Sequence, residues 1–118
     1  MSDVPSFDAN GNFLSARVFG NRGRYPHWQW LVIEPDKDGL NCRNENGSVV
    51  VTLAYGVIVD SVFDNDDAIE LVNGRPWLKV NVSSMDLRHR VTDEVAATYT
   101  CYVRANRKYI APINPDTQ

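Results

Sequence analysis

Residues 68–82 read AIELVNGRPWLKVNV and predict two paired antiparallel strands. Asn73-Gly74 is the dipeptide most favoured in two-residue hairpin turns, because both of its positions tolerate a positive φ angle. Apolar and β-branched side chains flank the turn on both sides, as the short strands of a half-buried sheet require. We therefore predict a β-hairpin with strands over 68–72 and 75–82.

The rest of the chain repeats this pattern of short apolar segments separated by turn-forming residues. Clusters of Asn, Asp, Gly and Pro recur about every ten residues, a spacing typical of small barrels and sandwiches. Further strands are predicted over 13–19, 27–34, 49–53 and 57–63, and a second hairpin over 85–103. An alternative for the second hairpin is a helical turn that begins at Thr92. The predicted fold class is all-β.

Composition limits the classes of function. The 118 residues, 43% of them apolar, suit one globular domain. With 12 Lys and Arg against 15 Asp and Glu, the net charge is −3, so we expect no nucleic-acid partner. No apolar run approaches the about 20 residues of a membrane helix, so direct membrane insertion is not expected. The first residues lack the features of a secretion signal, which predicts a cytoplasmic chain unless a signal preceded it.

Four segments of the chain, taken in their order along the sequence, resemble those of a known family. They are GLNCR at 39–43, SVVVTLAYGVIV at 48–59, NGRPWLKV at 73–80 and CYVRANRKYI at 101–110. In this order they resemble the conserved segments of bacterial Src-homology-3-like (SH3-like) domains, and 111–113 matches the closing segment. The resemblance implies a small SH3-like barrel over 39–113 that binds peptides, cell-wall fragments or partner proteins without catalysis.

The chain departs from this family in three places. The proline-containing loop of the family is replaced by 44–48, which lacks proline. Residues 83–100 are an insertion, which we interpret as a β-hairpin. Residues 1–38 match nothing in the family, and we expect them to form an N-terminal β extension that packs on the barrel.

The resemblance also implies a ligand site. Aromatic side chains bury extended peptides or sugars at low entropic cost, and an Arg or Asn orients them by hydrogen bonding. The positions implied here are Arg43, Asn44, Tyr55, Trp77, Asn106 and Tyr109, with Tyr102 as a further neighbour. The alternative is that Trp77 and Tyr109 pack in the barrel core and bind nothing.

Three other clusters allow a functional and a structural interpretation. The aromatic stretch at 27–30 is either a docking surface or a cover for the barrel. The acidic loop at 64–67 could hold a cation, but it lacks the ligand spacing of a calcium loop, so a solvated turn is preferred. Arg104, Arg107 and Lys108 could receive an acidic partner or a phosphate.

Cys42 and Cys101 occupy positions that face the core in the family. A bridge between them would close a loop of about sixty residues and contribute roughly 4 kcal/mol. Two buried thiols are the alternative, and this is the interpretation we favour from the sequence.

Support for catalysis is weak. His27 and His89 lie in no nucleophile motif, and no phosphate loop, dinucleotide fingerprint or zinc spacing occurs. We therefore predict a non-enzymatic binding module, without cofactor or metal ion, that engages a protein segment or a cell-wall peptide of peptidoglycan. The alternative is an accessory structural subunit that docks onto a larger bacterial or photosynthetic membrane complex.

Overall fold

The computed structural model describes residues 5–20, 23–36, 38–63, 67–83 and 98–113, and every regular element in these ranges is a strand. The all-β class predicted from the sequence is confirmed. The strands in chain order are β1 Arg17–Gly20, β2 Gly23–Pro26, β3 Gln29–Val32, β4 Leu40–Arg43, β5 Val49–Leu53, β6 Ile58–Ser61, β7 Ile69–Val72, β8 Arg75–Ser83, β9 Thr98–Arg104 and β10 Ile110–Pro112.

Most of these strands belong to one sheet. β1 and β2 pair by themselves, and the others follow the order β10-β3-β6-β8-β9-β4-β5, with β7 paired to the first half of β8. The end of β8 pairs with β6, and its residues 77–83 pair with β9 on the other side. Side chains from one face of this antiparallel sheet form the buried core, so the sheet curls around it in a barrel-like manner.

The hairpin at Asn73-Gly74 forms as predicted. Asn73 has φ 54° and Gly74 has φ 80°, the left-handed values that a type I′ turn requires. Val72 pairs with Arg75 directly across the turn, and this pairing sets the register of β7 against β8. Local turn chemistry therefore fixes which side chains of these two strands share a face.

Trp30 is the largest fully buried side chain. Its indole Nε1 donates to Ser61 Oγ at 2.7 Å, and the Phe13 ring packs edge-on at a centroid distance of 5.1 Å. β3, which carries Trp30, lies between β10 and β6 and so is an internal strand of the main sheet. Residues 29–32 therefore contribute to the core although the family resemblance does not reach them.

Side chains do not alternate regularly at the start of the predicted strand over 27–34. Trp28 lies two residues before the buried Trp30, but it is 54% exposed and packs against Phe63. The physical reason is that β3 begins only at Gln29 and the preceding inward place is taken by His27. The backbone N–H of His27 donates to the carbonyl of Ala16 at 2.8 Å, which holds His27 in that place.

Cys42 and Cys101 form a disulfide with a Cα–Cα distance of 5.4 Å, so the favoured interpretation of two thiols is wrong. Both side chains are fully buried, and their predicted inward orientation is confirmed. The bond is possible because β4 lies next to β9, where Arg43 pairs with Tyr102. Cys42 and Cys101 precede the two members of this pair, and their side chains are bonded on the core side.

Part of the predicted architecture lies outside the described residues. Ser83 pairs with Thr98, so the chain leaves β8 and enters β9 at neighbouring positions of the sheet. The segment between them, 84–97, contains most of the predicted inserted hairpin and the candidate helical turn, and it is outside the described part. The same holds for 64–66 of the acidic loop.

Candidate binding groove

A groove of about 480 Å³ lies on the outer face of the sheet, a volume within the usual range of ligand sites. The β4–β5 turn forms one wall, and the β7–β8 hairpin forms the other. Trp77 of β8 and Tyr102 of β9 contribute side chains from the strands between them. The lining residues are Arg43, Asn44, Glu45 and Gly47 on the first wall and Glu70, Val72, Asn73 and Arg75 on the second.

The strand register explains why these side chains lie together. Partners in an antiparallel ladder project to the same face of the sheet. Trp77 pairs with Glu70 on one side and with Arg104 on the other, and Tyr102 pairs with both Lys79 and Arg43. The residues between them in sequence point to the core, where side chains such as Leu78 and Val103 are fully buried.

Cations and aromatic rings alternate on this face. The guanidinium carbon of Arg104 lies 5.7 Å from the Trp77 ring centroid and 5.9 Å from that of Tyr109. Lys79 Nζ lies 5.9 Å from the centroid of the Tyr102 ring. These distances are those of cation–π contacts. Except for Tyr109, these side chains form, with two further arginines, the basic-aromatic face, which comprises Arg43, Arg75, Trp77, Lys79, Tyr102 and Arg104.

The first wall is held by its own hydrogen bonds. Arg43 Nη1 donates to the carbonyl of Gly47 at 2.8 Å, across the β4–β5 turn. Asn44 Oδ1 accepts from the backbone N–H groups of Asn46 and Ser48 at 2.9 and 3.1 Å. The positive φ of Gly47, 88°, completes the turn. The shape of this wall is therefore set before any ligand arrives.

The six site residues implied by the resemblance do not all meet. Arg43, Asn44 and Trp77 lie in the groove, together with the further neighbour Tyr102. Tyr55 is 60% exposed in the turn between β5 and β6 and does not line the groove.

Asn106 is the clearest departure from the implied site, because it is only 6% exposed. Its Nδ2 donates to Asn12 Oδ1 at 2.8 Å and to the carbonyl of Asn10 at 3.2 Å. Its Oδ1 accepts from the N–H of Lys108 at 2.9 Å. Asn106 therefore anchors the N-terminal segment to the turn before β10.

Trp77 and Tyr109 differ in their surroundings. Trp77 is partly exposed on the outer face and does not belong to the buried core cluster, whereas Tyr109 packs against that cluster. The alternative of core packing therefore applies to Tyr109 in part and not to Trp77. Arg104 lies between the two rings and connects Tyr109 to the edge of the basic-aromatic face.

The residues of the second wall of the groove were not identified from the sequence. Glu70, Val72 and Arg75 line it, and none of them was singled out from the sequence. The signal was nevertheless present in the Asn73-Gly74 turn. Once that turn fixes the register, Glu70 must lie across from Trp77 and Val72 across from Arg75.

Asp67, the described end of the acidic loop, is engaged in protein hydrogen bonds. Its Oδ1 accepts from the N–H of Ala16 at 2.8 Å and of Ile69 at 3.0 Å, and its Oδ2 accepts from the Ser15 hydroxyl. Within the described ranges, no group of three or more His, Cys, Asp or Glu is arranged to hold a metal ion. No helix among the described residues could cross a membrane.

No protein-family model, curated protein or solved structure matches this chain. The resemblance to SH3-like domains therefore stays a prediction.

Proposed function

We propose that the protein is a non-enzymatic binding module that holds an extended peptide segment in the groove. The observation that carries this proposal is the position of Trp77. Its indole lies partly exposed on the outer face, while its neighbours in the strand, Pro76 and Leu78, are buried. A large aromatic side chain held at the surface by a rigid strand is typical of binding hot spots.

Rigidity of the floor supports the same function. Trp77 and Tyr102 lie on neighbouring strands, and the Cys42–Cys101 disulfide joins β9 to β4 on the core side. Ligand binding to a preorganised surface costs less conformational entropy than binding to mobile loops. The groove can therefore hold a short flexible ligand with a modest contact area.

The groove also suits an extended ligand because turns form both walls. A linear segment can run between the β4–β5 turn and the β7–β8 hairpin, with alternate side chains directed at Trp77 and Tyr102. This ligand is a segment of a partner protein or a cell-wall peptide. The proposed SH3-like assignment implies the same kinds of ligand.

Selection from a library of random linear peptides tests the proposal. We expect peptides that bind the wild type to lose about 2 kcal/mol of affinity with Trp77→Ala, as is typical of a hot-spot aromatic residue. Tyr55→Ala is the matched control, because it removes an exposed aromatic side chain outside the groove. Its affinity should equal that of the wild type.

Two results would overturn the proposal. One is a library that yields no binder. The other is a set of binders whose affinity is unchanged by Trp77→Ala, provided that the variant melts as cooperatively as the wild type.

A further inference from the structure

We propose that the groove is specific for an acidic peptide segment, with carboxylates at alternate positions along an extended chain. This inference rests on the proposed function, since it names the chemistry of the ligand that the same groove takes.

Charge is distributed unevenly between this face and the rest of the molecule. The charged residues that line the groove are two cations, Arg43 and Arg75, and two carboxylates, Glu45 and Glu70. Two further cations, Lys79 and Arg104, lie beside the groove on the basic-aromatic face. These groups sum to +2 in a chain of net charge −3, so the remaining residues sum to −5. The site is therefore locally basic on an acidic protein, which favours ligands with local negative charge.

The spacing of the cations matches an extended peptide. Arg75, Trp77 and Lys79 are alternate residues of β8, so they project to one face. Alternate side chains of any extended strand are about 7 Å apart. A ligand strand that lies over the outer face of β8 therefore repeats with the same period, and two of its carboxylates, four residues apart, can meet Arg75 and Lys79 on either side of the Trp77 ring.

The position of Arg104 adds an electrostatic reason for the groove to prefer a carboxylate ligand. Its guanidinium lies between the rings of Trp77 and Tyr109, and its Nε is buried without a hydrogen-bond partner among the described residues. A buried donor that lacks an acceptor is energetically costly. A carboxylate bound beside Trp77 would lie close to the Arg104 guanidinium and be attracted to its positive charge.

A short acidic peptide fits this charge pattern better than a nucleic acid. A polynucleotide carries a charge at every residue and would extend beyond the basic-aromatic face onto the acidic remainder of the surface. A peptide can carry its carboxylates only where the cations lie. A single-stranded oligonucleotide is therefore the appropriate competitor in the test.

Three synthetic peptides of equal length test the inference: alternating Glu and Val, alternating Gln and Val, and alternating Lys and Val. Their affinities are measured by calorimetry with the intact protein. We expect the Glu peptide to bind at least about tenfold more tightly than the Gln peptide, and the Lys peptide to bind most weakly. Raising the salt concentration from about 50 mM to about 500 mM should lower the affinity for the Glu peptide and should not lower that for the Gln or Lys peptide.

A charge-reversal pair identifies the surface. Arg75→Glu should lower the affinity for the Glu peptide by about tenfold or more and should raise the affinity for the Lys peptide. Arg107→Glu is the matched control, because it changes the net charge equally at an exposed position that packs on Phe7, outside the groove. It should leave both affinities close to those of the wild type.

The outcomes separate this inference from the function on which it rests. Equal binding of the Glu and Gln peptides, each sensitive to Trp77→Ala, would overturn the acidic specificity and leave peptide binding intact. Tighter binding of an oligothymidylate than of the Glu peptide would also overturn it. If neither the three synthetic peptides nor any library peptide binds, the proposed function itself is overturned.

Discussion

Cys42 and Cys101 are bonded on the core side of the two strands whose next residues, Arg43 and Tyr102, line the groove. Among the described residues, Arg43–Tyr102 is the ladder pair that joins β4 to β9. The disulfide thus adds a covalent link where the hydrogen-bonded pairing is short. Its place in the fold couples stability of the barrel to the shape of the groove floor.

Removal of this bond should destabilise the protein strongly. The bond spans a sequence separation of 59 residues. For a loop of that length we expect reduction to lower the free energy of unfolding by about 4 kcal/mol, because the unfolded chain gains entropy. Urea unfolding with and without reductant measures the difference.

The double variant Cys42→Ser, Cys101→Ser is the control, because reductant should not change its stability. Two thiols that titrate in the unfolded, unreduced protein would contradict the bonded state.

His27 predicts a pH dependence of stability. Burial lowers the pKa of His27 below its ordinary value, and the hydrogen bond of Nε2 to the carbonyl of Gln29 opposes this shift. The unfolded state therefore binds more protons between the lowered pKa and about pH 6.5. The contribution of His27 to the free energy of unfolding should be complete above about pH 6.5 and should decrease as the pH falls below that value.

The measurement is the midpoint of thermal unfolding between about pH 5 and about pH 8, where most carboxylates stay ionised. His27→Gln should flatten the dependence of the midpoint on pH. The variant retains His89, the other histidine, so any contribution of His89 to the pH dependence stays in both proteins. An equal slope in the variant and the wild type would assign the effect to another group.

Asp67 should matter for stability although it ends an acidic loop. Asp67→Ala would leave the N–H groups of Ala16 and Ile69 without their acceptor, which we expect to cost about 1–3 kcal/mol. Asp38→Ala, at an exposed position, is the control and should change the free energy of unfolding by less than about 0.5 kcal/mol. Equal effects of the two substitutions in urea unfolding would contradict the anchoring role of Asp67.

Asn106 should affect stability without affecting binding. Asn106→Ala removes the bonds to Asn10 and Asn12, and we expect a loss of about 1–3 kcal/mol in unfolding free energy. The affinity for a library-selected peptide should stay within about twofold of the wild type, because the residue lies outside the groove. Asn46→Ala, an exposed asparagine, is the control for stability. A large loss of affinity in a folded Asn106→Ala variant would return this residue to the ligand site.

The parts of the fold that depend on local chemistry were predictable. The Asn73-Gly74 turn predicts its own hairpin because its φ angles suit only one turn geometry. The strand Val49–Leu53 follows directly from its run of β-branched residues. The inward orientation of Cys101 and Val103 follows from the alternation of side chains along β9.

The parts that depend on long-range contacts were not predictable. The disulfide requires that β4 and β9 be neighbours, and no local pattern specifies this. Asn106 is buried because it bonds residues 94 and 96 positions away in the sequence. Trp28 is exposed because His27, held by Ala16, takes the inward place. For the groove, the resemblance indicated Arg43, Asn44 and Trp77, whereas the hairpin register indicates the lining residues of the second wall.

NMR shifts of the backbone and indole groups in the isotope-labelled protein, followed during titration with a library-selected peptide, show directly whether the groove binds it. We expect the largest shifts at the Trp77 indole and Tyr102 on the groove floor and at Arg43 on the first wall. Shifts concentrated instead at Trp28, which precedes β3, and at Phe63, which follows β6, would contradict this claim and would move the binding surface to another part of the molecule.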